Sequence, residues 1–545
     1  MNRLLILVGI VLLAIAAFFV LSMSGGSQTS GSRSKVLHLA IDTDPKTLDP
    51  IGITDTISDG VARKIHNTLV RFNNKLEVIP DLAEKFDVSE DGKNYTFTLR
   101  KGVKFHNGRE MKAEDVVYSF TRLLGPESKR PEWIKPMVKG SESCDGVKPP
   151  EGLRASGDYE VIIELTKPFA PFIQHLCTVN CAIVPKEAVE DKSKAFARNP
   201  VGVGAFKLTQ WSTGQVLTLD RNDGYFKGKP KLDAVQFHIV KDANTRMEQF
   251  FAGELDAASD LPAGRVKEAL QRAGEADSFT YTALRTNYIG FGMPNGNFKD
   301  KADLKPLGTN KLVRQAISYA LDRDYLCNVI LEGRGVPARG VLPPGLPGFK
   351  EGRPGWPKDI EKAKALLKEA GFPDGKGIPE LSLLHRNDEN TKKLAQVFIS
   401  DLEKIGIKCS LQARDWNSFL EAVEREPKQL FWLGWVADYP DPDNFLYVLF
   451  NSKQFGSPGN HTWYSNPEVD ALTEKARNLT DINERIPLYQ KAEDIILEDC
   501  PWICTYHVKN VLLLRRNVKG IRENATGLDT GSEFPQVDFA FVDKE

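Results

Sequence analysis

Apolar and polar positions alternate along this chain with two different periods. Tyr95, Phe97 and Leu99 alternate with Thr96, Thr98 and Arg100, which predicts a half-buried strand; DYEVIIEL at 158–165 predicts another. KVLHLAIDTDPKTLDP opens as a short alternating strand and closes in Asp/Pro turn chemistry. From Pro200, PVGVGAFKLTQW, QVLTLDRN and LDAVQFHIV read as three strands parted by turn residues. Helical spacing marks Ala113 to Leu124, and ANTRMEQFFA is a helix stopped by Gly253, a left-handed cap. The second half is richer in helix. Leu312, Val313, Ala316, Ile317, Ala320 and Leu321 share a face, as do Leu394, Val397, Phe398, Leu402 and Ile405. Asp359 is placed to cap a helix that ends before Gly371 and Pro373. IKCSLQA, LFWLGWV (430–436) and NVLLLRRNVKG predict three more strands. Strands and helices mix throughout with no solenoid repeat, so the expected class is α/β.

A length of 545 residues suggests roughly three to four domain-sized units. Apolar residues make up 41% and charged residues 27%, as in a globular protein. The 72 Lys+Arg and 73 Asp+Glu nearly cancel; a net charge of -1 gives no general attraction to phosphate backbones, so no nucleic acid is expected as partner. Leu4 to Leu21 is an uncharged apolar run behind Arg3, at the short end of the ~17–25 residues that span a bilayer. It reads as an uncleaved anchor, with cleavage before Gly25 the alternative; Arg3 inside would put the rest of the chain outside the cytoplasmic membrane. The Ser/Gly run after it is a tether. The first cysteine is Cys144, which rules out a lipid-modified cysteine near the N-terminus. Seven cysteines leave at least one thiol outside any intramolecular disulfide. CTVNC and CPWIC have C-x3-C rather than zinc-site spacing, even with His175 nearby, and read as buried small hydrophobes with at most one disulfide.

Enzyme signatures are missing: no G-x-S-x-G, no G-x4-G-K-[ST], no H-E-x-x-H. GVGAFKL is glycine-rich but leads into a strand, so it presents no helix N-terminus to a phosphate. The densest chemistry is GWVADYPDPDNFL, residues 434–446, which crowds Asp438, Asp441 and Asp443 into a proline-stiffened turn. Turn chemistry alone explains such a cluster, and so does a buried cation.

The stretches DPKTLDP, NTLVRFNNKLEVIPDLAEKFDVSEDGKNYTFTLRKGVKFHNGREMKAEDVVYSF, NPVGVGAFKLTQW, RQAISYALDRDYL, EKAKALLKEAGFPDG and GWVADYPDPDNFL resemble, in order, the family 5 extracellular solute-binding proteins: peptide, dipeptide and nickel receptors of ATP-driven importers. The likeness spans about residues 36–525. It implies a two-lobed periplasmic-binding-protein fold with a hinge and an extra inserted domain. Lobe I would take residues 36–56, 197–285 and 509–545, the inserted domain 57–196 and lobe II 286–508, behind a signal or anchor segment (1–24) and the tether (25–35). In the family's peptide receptors the aspartate of G-W-x-x-D meets the ligand's ammonium, which falls here on Asp438. Trp435 would be a flat apolar wall or plain core filling. Gly434 and Tyr439 flank these two and complete that part of the expected contact set. Asp441 and Asp443 are read as structural, with Asp443 capping the next helix. The dipeptide receptors' carboxylate-binding arginine corresponds to Arg386, with His385 a lesser neighbour; a surface arginine beside Asp388 and Glu389 is the plainer reading.

The resemblance therefore implies a monomeric, non-enzymatic receptor in the periplasm or cell envelope. It would take short peptides to an ABC permease and its ATPase and would need no cofactor or metal. The alternatives keep the fold with a nickel chelate, an oligosaccharide or haem as ligand, or make the protein a membrane-held sensor or chaperone.

Overall fold

In the computed structural model, which describes residues 35–274, 278–457, 459–529 and 535–545, the strands fall into two principal mixed sheets, a smaller antiparallel third and two two-stranded pairs. The first sheet orders Val36–Ile41, Ala234–Ile239, Val216–Arg221 and Phe206–Ser212, with the opening strand parallel to its neighbour and the rest antiparallel. Leu37, Leu39 and Ile41 alternate inward, as a period of two requires. The second sheet has seven strands, among them Ser278–Phe291, Leu381–Arg386, Cys409–Arg414, Leu430–Val436 and Trp502–Leu514. A third sheet, Ala83–Val88, Asn94–Leu99, Glu160–Glu164 and Leu153–Ala155, buries Tyr95, Phe97 and Leu99, the alternation that the sequence predicts.

Two strands tie the molecule together. Trp502–Leu514 contributes Trp502, Ile503, Tyr506 and Val508 to the larger hydrophobic core and Leu512 and Leu514 to a second. Its partner Ser278–Phe291 places Ala283, Leu284 and Tyr288 in the larger core, while Phe279 and Tyr281 pack against the second. Their pairing is irregular between Thr282 and Thr286, where the chain passes from one core to the other. The lobe boundaries expected at 285/286 and 508/509 fall inside these two continuous strands.

Side-chain caps set several helix starts. Asp359 accepts from Lys362 N at 2.9 Å, and Asp388 accepts from Thr391 N at 2.8 Å to open Glu389–Glu403. Ala243–Ala252 ends at Gly253 with φ 89°, as its sequence predicts. The glycine-rich GVGAFKL run serves close packing: Gly204 N donates to the Ile65 carbonyl at 2.8 Å, behind the helix Thr56–Ile65. All seven cysteines are free thiols and six are buried, with no disulfide. Burial pushes the Cys181 and Cys500 thiols up to about 12, which makes them inert at neutral pH. His175 donates Nδ1 to the Trp133 carbonyl at 2.5 Å within the core. The N-terminal segment (residues 1–24) and most of the tether lie outside the described residues; among the described residues no helix is long and apolar enough to cross a membrane.

A methyl group at Gly204 would lie 2.5 Å from the Ile65 carbonyl, a contact that no rotamer relieves. Gly204→Ala is expected to cost about 1–3 kcal/mol and to lower the midpoint of thermal unfolding followed by circular dichroism.

Candidate functional site

The Leu430–Val436 strand is apolar over its whole length, lies inside the second sheet and ends at a cavity of about 220 Å3. One water needs ~15 Å3 on this measure, so there is room for on the order of fifteen non-hydrogen atoms. Segments from the whole chain line it. Thr54, Asp55 and Asp59 come from the start of the Thr56–Ile65 helix; Arg386 and Asp388 from the end of Leu381–Arg386; Glu424 from the helix Trp416–Arg425; Asn287, Tyr506 and Asn510 from the two long strands.

Asp438 lies on this wall two residues beyond the strand. Its loop is held by Asn444, fully buried in the next helix. The Asn444 amide donates to Asp438 Oδ2 at 3.0 Å, while its oxygen accepts from Asp438 N at 3.0 Å and from Trp435 Nε1 at 2.9 Å. One amide thus fixes the carboxylate and the indole together. Trp435 is 8% exposed and lines the cavity, with the Arg130 guanidinium 6.0 Å from its ring. Gly434 is needed for close approach, because a Cβ there would sit 2.7 Å from Asn287 Oδ1.

The other two aspartates of the turn face away from the cavity into protein. Asp441 takes a bidentate bond from Arg485 at 2.7 and 2.8 Å. It also accepts from Asp443 N at 2.9 Å, so the helix-start bond expected of Asp443 is made by Asp441 instead. Asp443 accepts from the Tyr439 and Tyr489 hydroxyls at 2.8 and 2.9 Å and from Arg477 at 3.2 Å.

Three of the remaining expected residues sit differently from the expectation. Tyr439 is 1% exposed, off the cavity wall, with its ring 4.4 Å from His175; the turn needs it as packing. His385 is likewise buried off the wall, its Nδ1 2.7 Å from the Arg386 carbonyl, because strand alternation sends it to the opposite face. Arg386 does reach the wall, but its guanidinium pairs with Asp42, which follows the first strand of the other sheet, and stacks 5.1 Å from Trp416. That pair bridges the two principal sheets beside the cavity.

The charges on the wall are mostly matched. Asp59 pairs with Arg63 at 2.7 Å and Asp260 with Arg246 at 2.6 Å; Asp529 accepts from Tyr281 and Asn510. Among the described residues Asp438 and Glu424 have no ion-pair partner. Burial raises the carboxyl pKa of both, with Arg130 opposing the rise in each case. His461, also on the wall, is held neutral, pushed down to about 3 by burial. Glu424, Arg130, Asn444 and Asp42 were not legible as site residues, although Asn444 adjoins the aspartate-rich turn.

The chain matches the bacterial extracellular solute-binding proteins, family 5 Middle, over residues 77–457. It is 30% identical over 522 residues to the oligopeptide-binding protein OppA of Bacillus subtilis (strain 168), covering 92% of this chain and 93% of the relative. It is 30% identical over 518 residues to the dipeptide-binding protein of Escherichia coli (strain K12), covering 92% and 94%. Among solved structures, the ABC transporter-associated periplasmic binding protein DppA from Helicobacter pylori in complex with peptide STSA superposes with a TM-score of 0.81. Sequence identity to it is 28%, and the match covers 94% of this chain and 98% of that one.

The raised pKa of Asp438 gives a stability prediction. Between the unfolded and the higher folded value the native state binds more protons, so this group's contribution falls as pH rises through that window and stays unfavourable above it. Asp438→Asn keeps an oxygen for the Asn444 amide and removes the charge. The empty variant is expected to melt about 1–2 °C higher than the parent at pH 7, with the difference shrinking towards pH 4.

Proposed function

The chain belongs to the bacterial extracellular solute-binding proteins of family 5, and from that premise we propose that it is a peptide receptor of an ABC importer. It takes a short peptide into the cavity between its two lobes outside the cytoplasmic membrane and presents it to a membrane permease. The observation that carries this reading is Asp438: a stiffly held, half-buried carboxylate on the cavity wall with no cationic partner among the described residues. Asp438 is half-buried, so its unpaired charge is poorly hydrated rather than fully stripped of water, and a peptide's α-ammonium relieves that penalty when it binds. Trp435 beside it offers a flat apolar face to the first residue of the ligand. The peptide-binding names of the Bacillus and Escherichia relatives and the peptide in the Helicobacter structure support the same ligand class.

Closure follows from the two long strands. They are the continuous connections through both cores, and their irregular pairing at 282–286 is where bending costs fewest backbone bonds. The partly buried Arg386–Asp42 pair and the exposed Lys241–Asp415 pair at 2.6 Å span the cleft when the lobes are together, the second contributing little. An importer responds to the closed form only if ligand prefers it, and Asp438 supplies that preference when it is enclosed with its counter-charge.

Titration calorimetry with short peptides tests the reading. Binding is expected, with a loss of about 30-fold or more in Asp438→Asn and a comparable loss for N-acetylated peptide. Equal binding of free and acetylated peptide, or unchanged affinity in the variant, would sink it in favour of a solute without an ammonium. The ammonium draws the Asp438 pKa down, so binding releases a proton wherever the empty site is protonated. Affinity is therefore expected to be flat between the raised pKa of the empty site and the ~8 of the peptide's α-ammonium, and to fall by up to tenfold per pH unit below the first and above the second.

A further inference from the structure

The same cavity wall carries a cation, Arg334, that has no counter-charge among the described residues. Arg334 lines the cavity, is 8% exposed, and has a buried Nε with no hydrogen-bond partner. Among the described residues its guanidinium has no ion pair, hydrogen bond or aromatic face. Arginine 63 pairs with Asp59 and Arg386 with Asp42, so Arg334 differs from these two arginines of the wall. A nine-tenths buried guanidinium without a counter-charge is as costly as a buried carboxylate without one. Resting on the peptide reading above, we propose that Arg334, rather than Arg386, takes the ligand's terminal carboxylate, and that its distance from Asp438 selects peptides of two or three residues.

The sheet sets that distance. The Arg334 carbonyl accepts from Lys509 N at 3.0 Å, so Arg334 adjoins the Trp502–Leu514 strand. On the far side of the Ser278–Phe291 strand, Ala437 N donates to the Leu284 carbonyl at 2.8 Å, placing Asp438 beyond the same end of the sheet. Two strands lie between them, which makes three spacings of ~4.8 Å, or ~14 Å, with side chains standing off the sheet rather than along it. A charge-assisted bond at each end takes ~2.8 Å, leaving ~8 Å. Extended chain rises ~3.3 Å per residue, so the gap fits two or three residues. The cavity volume independently admits a molecule of that size. Both unmet charges are of opposite sign and share one wall, which is the pattern a zwitterion with separated ends requires. Arg386, already committed to Asp42, serves closure.

The test is calorimetry on the full protein with alanine peptides of two to six residues, each as free acid and as C-terminal amide. The parent is expected to bind the free acids of two and three residues best and to lose about 30-fold or more on amidation. Arg334→Gln should lose that preference: free acid weakened by the same factor, amide bound as by the parent. Arg334→Lys should recover part of it. Persistence of the full acid-over-amide preference in Arg334→Gln, or its disappearance in Arg386→Gln instead, would overturn the assignment while leaving the peptide reading intact. Loss of both forms in Arg334→Gln without recovery in Arg334→Lys marks a structural role and also overturns it. Affinity rising steadily to six residues overturns the length limit. Failure of the parent to bind any free acid removes the peptide reading, and this assignment with it.

Discussion

A charge removed from water must find a counter-charge, and the three aspartates of the 434–446 turn satisfy this constraint in two different ways. Asp441 and Asp443 are met by arginines 485 and 477, from the two helices packed behind the turn, and by two tyrosine hydroxyls. These bonds are internal and permanent, and they make the turn rigid. Asp438 receives an amide and, among the described residues, no cation, so its remaining demand is directed into the cavity. The stiffness provided by the first two is what lets the third wait for a partner without collapsing onto the protein. A flexible carboxylate in that position would find a neighbouring arginine and cease to be available.

The same constraint organises the cleft at larger scale. Salt bridges on the wall either close within one segment, as Asp59 and Arg63 do four residues apart on a helix, or join segments from different sheets, as Asp42 and Arg386 do. The first kind keeps a wall residue in place. The second exists only while the sheets are close, so opening the cleft exposes both partners to water, where each is well solvated and the pair is worth little. Closure is therefore cheap to reverse. The ligand, with its ends desolvated against unmet charges, is the component that shifts the balance, and the two long strands give the motion a defined place to occur.

How much of this the sequence revealed depends on whether a feature is local. The Asn94–Leu99 strand, the cap at Asp359 and the stop at Gly253 are local, and residue pattern alone finds them; the cap at Asp388 is equally local and went unread. Gly434, Trp435 and Asp438 also lie on the cavity wall, because a stiff turn at the end of an apolar strand has few ways to face. Ser278–Phe291 has no clean alternation: from Ala283 on it is buried on both faces except at Arg285, and the period of two disappears. The Trp502–Leu514 strand was visible only from Asn510 for the same reason. His385 and Tyr439 adjoin wall residues in sequence yet point into the core, one by strand alternation and one by the turn's own packing. The glycine-rich GVGAFKL run carried no mark of what it packs against, since Ile65 is more than a hundred residues earlier.

Charge matching is the least legible property, since it is a sum over the whole wall. Nothing near Arg386 in the chain announces Asp42, some three hundred and forty residues before it. Nothing near Arg334 shows that acids on the wall are committed elsewhere. An arginine beside Asp388 and Glu389 looks engaged locally, and in the fold Arg386 is 3.9 Å from Asp388 and pairs with Asp42 as well. Arg334, in a stretch of glycine and valine, looks like an ordinary surface residue and is nine-tenths buried. The residues that a ligand completes are those for which the folded chain provides no complement. They can be identified only by tracing the other charges on the wall to their partners: among the described residues Asp55 is spent on capping its own helix through Ile57 N, Ser58 N and the Ser58 hydroxyl, whereas Asp438, Glu424 and the guanidinium of Arg334 have no ion pair. Of the two acids, Glu424 sits on a helix with three side-chain torsions free to adjust, whereas Asp438 is fixed by Asn444 in the row of the sheet that also ends at Arg334. A receptor that must report one bound geometry to its importer needs the fixed pair, and that is the physical reason for reading the ligand's two ends at Asp438 and Arg334.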